Sequence, residues 1–140
     1  MEIKVYPRFS RKETVYVADT YTLDLVRSAP NVIFVFGDNV ARSGCGGQAI
    51  IRHEPNAFGI RTKYRPSNDA TAFFGHHLAK EMKFIADDIF DLHTLSIDGK
   101  SICFPAAGLG TGRAQLKEKA PAVWKFMQEH LKFLEFPYHE

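Results

Sequence analysis

The chain has 140 residues, of which 45% are hydrophobic and 13% aromatic, and its formal net charge at pH 7 is +2. This length and composition predict one globular domain spanning residues 1–140, and they exclude disordered and fibrous proteins. Because the charges are scattered and nearly balanced, no nucleic-acid partner is expected. Nothing in the sequence predicts an oligomeric state.

The two cysteines, Cys45 and Cys103, form neither a CxxC motif nor a disulfide framework, so a reducing cytoplasm is the expected compartment. No apolar run approaches the ~20 residues of a membrane span, and the N-terminus lacks the apolar middle of a signal peptide. We therefore expect no membrane partner. The histidines His53, His76, His77 and His93 lack the mutual spacing of a metal-binding motif, and neither a metal nor a cofactor is expected.

The first third of the chain predicts two strands, a helix and a third strand. The segments IKVYP and ETVYVAD alternate and are rich in β-branched residues, which is typical of strands. TYTLDLVRSAP predicts a short helix, with Thr20 or Thr22 as its N-cap and Pro30 as its stop. NVIFVFG is a continuous apolar run, as expected of a central strand covered by helices on both faces.

The middle of the chain continues this alternation. A polar, glycine-rich loop, DNVARSGCGG, follows the third strand, and QAIIRH then predicts a short helix. FGIRTK predicts a strand and YRPSND a loop. Apolar residues at steps of three and four between Ala70 and Leu95 predict an amphipathic helix. SICFPA repeats the pattern of a short buried strand.

The last segment predicts one C-terminal helix, because apolar residues recur at steps of three and four from Leu116 to Leu134. Proline is tolerated only in the first turn of a helix, so Pro121 places the start near Lys117 or Glu118. Strands that alternate with helices predict an α/β domain. Since two strands open the chain, we expect a mixed sheet.

Two glycine-rich loops stand in equivalent places, because each follows a buried strand and precedes helical sequence. In open α/β sheets, ligands bind beyond the carboxyl ends of the strands. Glycines there allow backbone N–H groups to converge on anionic oxygens, and a phosphate or diphosphate is the natural ligand. The loops match neither the P-loop nor the GxGxxG motif, which weighs against kinases and dehydrogenases. The alternative is that both loops are plain turns.

The same segments resemble macro domains. NVIFVFGDNVARSGCGGQAI resembles the segment in which a buried strand runs into an asparagine, a glycine-rich loop and a short helix. SICFPAAGLGTGRAQLKEKAPAVWKF resembles the second signature, in which a strand ending in Phe-Pro leads to a diphosphate loop and a helix with alanines. The stretch from Asn31 to about Leu134 is most similar to small macro-like proteins of phages and bacteria, largely described as a domain of unknown function.

The resemblance implies a three-layer α/β/α fold with a mixed sheet that binds ADP-ribose or a related nucleotide. Some members of the family also hydrolyse ADP-ribosyl bonds. By position, Asn39 matches the asparagine that touches the distal ribose in catalytic members, and Asp19 matches the early aspartate that receives the adenine amino group. The implied ligand-binding loop residues are Gly44, Gly46, Gly47 and Gln48 in the first loop and Gly108, Leu109, Gly110, Thr111, Gly112 and Arg113 in the second.

The chain departs from the family at several of these positions. Macro domains usually read Asn-Ala-Ala-Asn before the first loop, where residues 36–39 here read Phe-Gly-Asp-Asn. Cys45 interrupts the glycines of the first loop. Arg113 replaces the aromatic residue that usually follows the glycine of the second loop. For these reasons the family's substrate choice does not transfer to this chain.

Asp38 and Asn39 are the candidate catalytic residues. Asp38 could orient or deprotonate a water that attacks the anomeric carbon, and Asn39 could fix the ribose hydroxyls. The alternative is a turn, because an Asp-Asn pair after a strand readily bonds to its own backbone. Arg113 and the hydroxyl of Thr111 are candidate phosphate contacts.

The expected function is binding of ADP-ribose or a related nucleotide through the two glycine-rich loops. Hydrolysis of an ADP-ribosyl or phosphate ester bond stays open, and the chain is therefore not assigned as an enzyme. The alternatives are a non-catalytic module that senses or sequesters a nucleotide, and a protein-interaction domain.

Overall fold

The computed structural model describes residues 3–7, 14–97 and 99–133. The strands in these ranges are β1 (Ile3–Pro7), β2 (Thr14–Ala18), β3 (Val32–Asn39), β4 (Ala57–Lys63) and β5 (Ser101–Pro105). The helices are α1 (Leu23–Ser28), α2 (Leu78–Ser96), α3 (Leu116–Lys119) and α4 (Pro121–Phe133), with 3-10 helices at Gly47–Ile51 and Ala70–Ala72.

The strands form one sheet in the order β1-β2-β5-β3-β4. Strands β2, β5, β3 and β4 all run parallel, so their carboxyl ends lie at one edge. The predicted α/β fold is confirmed. The expected mixture of strand directions does not extend to these four strands, and the described antiparallel pairing joins β1 to β2 at the sheet border.

Apolar side chains of β3 belong to two separate core clusters. Ile33 and Val35 pack with α2 and α4, whereas Phe34 and Phe36 pack with α1 and the 3-10 helix Gly47–Ile51. Successive residues of a strand point to opposite faces. Because helices cover both faces of β3, its sequence is continuously apolar, as the sequence analysis predicted.

The predicted short helix near residue 25 is confirmed as α1, with Thr22 as its N-cap. The Thr22 hydroxyl oxygen accepts a hydrogen bond from the N–H of Leu25 at 3.1 Å. Such a bond satisfies a backbone donor that has no partner within the helix. Pro30 follows two residues after the end of α1 and prevents its continuation.

The predicted single C-terminal helix is wrong, because the chain forms α3 and then α4. Ala120 separates them with φ −144° and ψ 68°, outside the helical region. Pro121 causes the break, since a proline disfavours helical geometry in the residue before it and is itself tolerated at the first helical position. Leu134, at the end of the predicted helix, lies outside the described residues.

The predicted helix between Ala70 and Leu95 is confirmed only from Leu78 onward. Before it, Phe73 and Phe74 are buried, at 6% and 1% exposure. Within the described ranges, no helix has both the length and the apolar composition that a bilayer span requires.

Candidate functional site

A cleft of about 440 Å³ opens at the carboxyl ends of β3, β4 and β5. Gly46 of the first glycine-rich loop and Gly110 of the second both line it. The sequence predicted this arrangement, because both loops follow parallel strands and therefore emerge at the same sheet edge.

The floor of the cleft depends on two glycines that lie against each other. A Cβ atom added to Gly37 would lie 3.3 Å from the backbone nitrogen of Gly110. Gly110 has φ +71°, and a Cβ there would lie 3.1 Å from Leu116 Cβ and 3.2 Å from Thr62 Cβ. A side chain at either position would thus press on the neighbouring residues at these strand ends, and at Gly110 it would also strain the backbone.

Gln48 connects the two glycine-rich loops. Its Oε1 accepts a hydrogen bond from the Gly37 N–H at 3.0 Å, and its Nε2 donates to the Gly108 carbonyl at 3.0 Å. Both functions of one side-chain amide are therefore used to hold the end of β3 against the second loop. Gln48 also lines the cleft.

Asp38 lies beneath the first loop with its side chain only 2% exposed. Arg52 binds it in a bidentate pair, with distances of 2.6 Å from Nη2 to Oδ1 and 2.9 Å from Nη1 to Oδ2. Arg42 Nη1 donates to Oδ2 at 2.9 Å, and the Asn39 N–H donates to Oδ1 at 2.8 Å. Each carboxylate oxygen of Asp38 thus accepts two hydrogen bonds.

These partners set the ionisation of Asp38. Burial alone would raise its pKa, but the hydrogen bonds from Arg52, Arg42 and the Asn39 N–H together outweigh burial. The pKa of Asp38 therefore lies below its ordinary value. A low pKa and a fully bonded carboxylate favour a structural anion over a general base, whose pKa should lie near the operating pH.

Arg52 and Arg42 extend this network through the first loop. Arg52 also donates to the carbonyls of Ser43 and Gly44, at 3.0 and 2.8 Å. Arg42 donates to the Gly59 carbonyl at 2.8 Å and reaches Asp88 of α2 at 3.1 Å. The arginines thereby fix the path of the loop against β4 and α2.

Asn39 closes the turn that begins the first loop. Its Nδ2 donates to the Ser43 carbonyl at 2.9 Å, and its Oδ1 accepts from the Ser43 N–H at 3.4 Å. The Asn39 N–H also donates to Asp38. The two side chains thus bond to nearby backbone groups, as expected if the Asp-Asn pair forms a turn. Asn39 and Asp38 also line the cleft.

Two cations line the cleft without a carboxylate partner among the described residues: Lys63 and Arg113. Lys63 is only 6% exposed, and its ammonium nitrogen lies 4.7 Å from the centre of the Phe73 ring. Burial first and the charge of Arg113 second lower the pKa of Lys63. Buried charges are normally paired, so an unpaired lysine facing a cleft indicates a place for an anion.

Most of the predicted ligand-binding residues come together in the cleft. Those that line it are Gly44, Gly46, Gly47, Gln48, Gly110, Thr111, Gly112 and Arg113. The Thr111 hydroxyl donates to the Ala107 carbonyl at 2.7 Å, which is a bond that stabilises the loop.

Three predicted ligand-binding residues lie elsewhere than on the cleft lining. Leu109 is 1% exposed and packs in the core cluster between the sheet and α2 and α4, because its position in the loop turns it inward. Gly108 instead supplies the carbonyl that Gln48 binds. Asp19 follows β2 directly and is exposed, but β5 separates its strand from β3.

The contribution of β4 and of the loop after it to the cleft was not predicted from the sequence. The residues concerned are Thr62, Lys63, Pro66, Ser67 and Asn68. The signal was present, because FGIRTK was already predicted to be a strand, and the end of a parallel strand next to β3 must reach the same edge.

A family model matches residues 16–130, well over half of the chain, and describes a family of unknown function, DUF7831. The chain belongs to this family. No curated protein and no solved structure matches the chain. The family description names no ligand or activity, so the geometry of the cleft carries the functional argument.

Proposed function

We propose that the cleft binds a nucleotide of the ADP-ribose type, with the diphosphate held between the two glycine-rich loops. The observation that carries this proposal is the shared cleft, in which Gly46 and Gly110 both face one volume of about 440 Å³. Ligand sites of this kind usually measure about 300–1,000 Å³. The resemblance to three-layer macro domains supports the same ligand class, with α2 and α4 as one outer layer and α1 as the other.

The charges around the cleft support an anionic ligand. Lys63 and Arg113 each contribute a positive charge, and the carboxylate of Asp38 is already offset by Arg42 and Arg52. Backbone N–H groups of glycine loops add further partial positive charge. A diphosphate would therefore meet attraction from the loops and from both side chains.

The state of Asp38 favours a binding module over a hydrolase. A general base must reach the proton that it abstracts, but every side-chain oxygen of Asp38 is held by two hydrogen bonds. We therefore assign Asp38 to the support of the first loop. Turnover, if it occurs, needs another group as its base.

Calorimetry with ADP-ribose, ADP, NAD and ATP tests the proposal directly. The wild-type chain is compared with Arg113→Gln, which removes a cation from the cleft, and with Lys125→Gln, which removes an exposed cation of α4. We expect the Arg113 variant to lose about 10-fold or more in affinity, as a charge-assisted hydrogen bond would require. The Lys125 variant should bind as the wild type does.

The outcomes separate the alternatives. Binding without product over hours supports the non-catalytic module, whereas release of a smaller product supports hydrolysis. If the wild type binds none of the four nucleotides, the nucleotide proposal fails and the protein-interaction hypothesis takes its place. Equal losses in the Arg113 and Lys125 variants would show that the cleft is not the binding site.

A further inference from the structure

A second group of cations adjoins the cleft around the ring of Phe73. The ammonium nitrogen of Lys63 lies 4.7 Å from the ring centre, and that of Lys119, at the end of α3, lies 4.9 Å from it. Lys63 lines the cleft and is 6% exposed, whereas Lys119 is exposed. Lys63 thus belongs both to the cleft and to this second group.

Neither lysine is neutralised by the described part of the chain. No ion pair in these ranges includes Lys63 or Lys119. Since both nitrogens lie less than 5 Å from the centre of one ring, they lie within about 10 Å of each other, about one Debye length at 0.1 M salt. Their mutual repulsion is therefore only partly screened by salt.

The position of Lys63 fits an anion better than a structural role. A buried ammonium usually has a carboxylate partner, and the face of Phe73 offsets only part of its charge. The neighbouring charge of Arg113 adds to the repulsion on Lys63. An anionic group that contacts both ammonium groups would relieve both effects at once.

We propose that Lys63 and Lys119 form a second anion subsite, which receives a phosphate group additional to the diphosphate held by the glycine-rich loops. This inference rests on the proposed function, since Lys63 lines the same cleft. It narrows the ligand class to nucleotides or polyphosphates that carry at least three phosphate groups. The third group either continues a phosphate chain or stands apart from it as a monoester.

The test compares ligands in pairs that differ by one phosphate group. Calorimetry of the full chain at fixed salt measures pyrophosphate against tripolyphosphate, ADP against ATP, and NAD against NADP. The first two pairs add the third phosphate to a chain, and the last pair adds it as a separate monoester. The wild type should bind the richer member of at least one pair about 10-fold more tightly.

Two variants of α3 locate this preference. Lys119→Gln should abolish most of the gain from the third phosphate and change affinity for pyrophosphate less than twofold. Lys117→Gln removes the same charge from an exposed position on the same helix, and it should leave both affinities as in the wild type. Each substitution affects an exposed side chain, so both variants should fold.

Three results overturn the inference while leaving the proposed function intact. They are equal affinities within all three wild-type pairs, equal effects of the Lys119 and Lys117 variants, and a Lys119 variant that loses pyrophosphate as strongly as tripolyphosphate. If the wild type instead binds none of these phosphate compounds, the result contradicts the proposed function itself.

Discussion

At the residue scale, the ion pairs of Asp38 distinguish a structural role from a catalytic one. Its carboxylate joins two arginines under the first loop, and Arg52 is itself only 9% exposed at its side chain. Removing one partner of a buried ion pair leaves an uncompensated charge and costs about 3–5 kcal/mol. The structural role therefore predicts a large loss of stability from a substitution that hardly changes shape.

Asp38→Asn should lower the free energy of unfolding by about 3 kcal/mol or more at pH 7. Urea denaturation measures this change. Because folding lowers the pKa of Asp38, its contribution is fully present above its unfolded pKa of about 3.9 and is lost as pH falls through the folded pKa. The difference between wild type and variant should thus shrink in acid. A variant with wild-type stability but no turnover would instead support Asp38 as a catalytic base.

Lys63 should show the opposite balance between stability and binding. Lys63→Met replaces a buried, unpaired ammonium with an apolar side chain that packs on Phe73, and we expect a gain of about 1 kcal/mol together with loss of phosphate affinity. Urea denaturation and calorimetry measure the two effects. The exposed Lys125→Met variant is the control and should change neither quantity.

The pH dependence of the stability gained in Lys63→Met follows from the direction in which folding shifts the pKa of Lys63. Folding lowers the pKa of Lys63, so the unfolded chain holds its proton up to a higher pH than the folded chain. The wild type is therefore stabilised as pH rises from the folded pKa towards the unfolded value of about 10.4. The advantage of Lys63→Met should narrow over that interval, and a constant advantage would contradict the proposed cause.

At the scale of elements, the second glycine-rich loop offers a matched pair of positions. Gly110 has φ +71°, and a Cβ there would lie only 3.1 Å from Leu116 Cβ, whereas Gly112 has no atom within 4 Å of its Cβ position and no positive φ. Gly110→Ala should cost about 1–3 kcal/mol of stability and reduce phosphate affinity. Gly112→Ala should stay within about 0.5 kcal/mol of the wild type.

Thermal unfolding and phosphate titration of the two variants check this prediction. Both substitutions add the same methyl group to the same loop, so any difference reports on backbone strain and on the contact with Leu116 and Thr62. Similar behaviour of the two variants would show that the loop adapts and that its glycines are ordinary turn residues.

The elements themselves were largely predictable from sequence. Strands β3 and β5 are apolar on both faces, and Thr22 and Pro30 mark the ends of α1. The split between α3 and α4 was missed because Pro121 was read as a limit on one helix, although it also restricts Ala120 before it. The cleft edge was predictable from parallel strands, and Lys63 follows from the same rule applied to β4.

Side-chain partners in the site were not predictable in the same way. In the sequence, Arg42, Arg52 and Arg61 each have possible acidic partners nearby, and nothing selects among them. Only the fold assigns Arg52 to Asp38 and Arg61 to Asp88. Nor does any local pattern reveal that Gln48 bridges to Gly108, sixty positions later. Such contacts depend on how the elements pack, which a single sequence does not encode locally.

At the scale of the whole molecule, Gln48 makes the two glycine-rich loops one unit. It joins Gly37 at the end of β3 to Gly108 after β5, and those strands are neighbours in the sheet. A ligand that orders one loop should therefore order the other. When the free ligand concentration is 100 times the Kd, binding also stabilises the folded state of the whole domain by about 2.7 kcal/mol.

Hydrogen exchange with pyrophosphate tests this coupling. In the wild type, we expect amide protection to rise together over residues 44–48 and 108–112 when pyrophosphate binds. Gln48→Met removes both bonds and leaves the Gly37 N–H and the Gly108 carbonyl without them, at a cost of about 1–3 kcal/mol. Gln128→Met on α4 is the control. Ligand-induced protection in the Gln48 variant should become weaker and unequal between the loops, whereas equal protection in both loops would show that the sheet alone couples them.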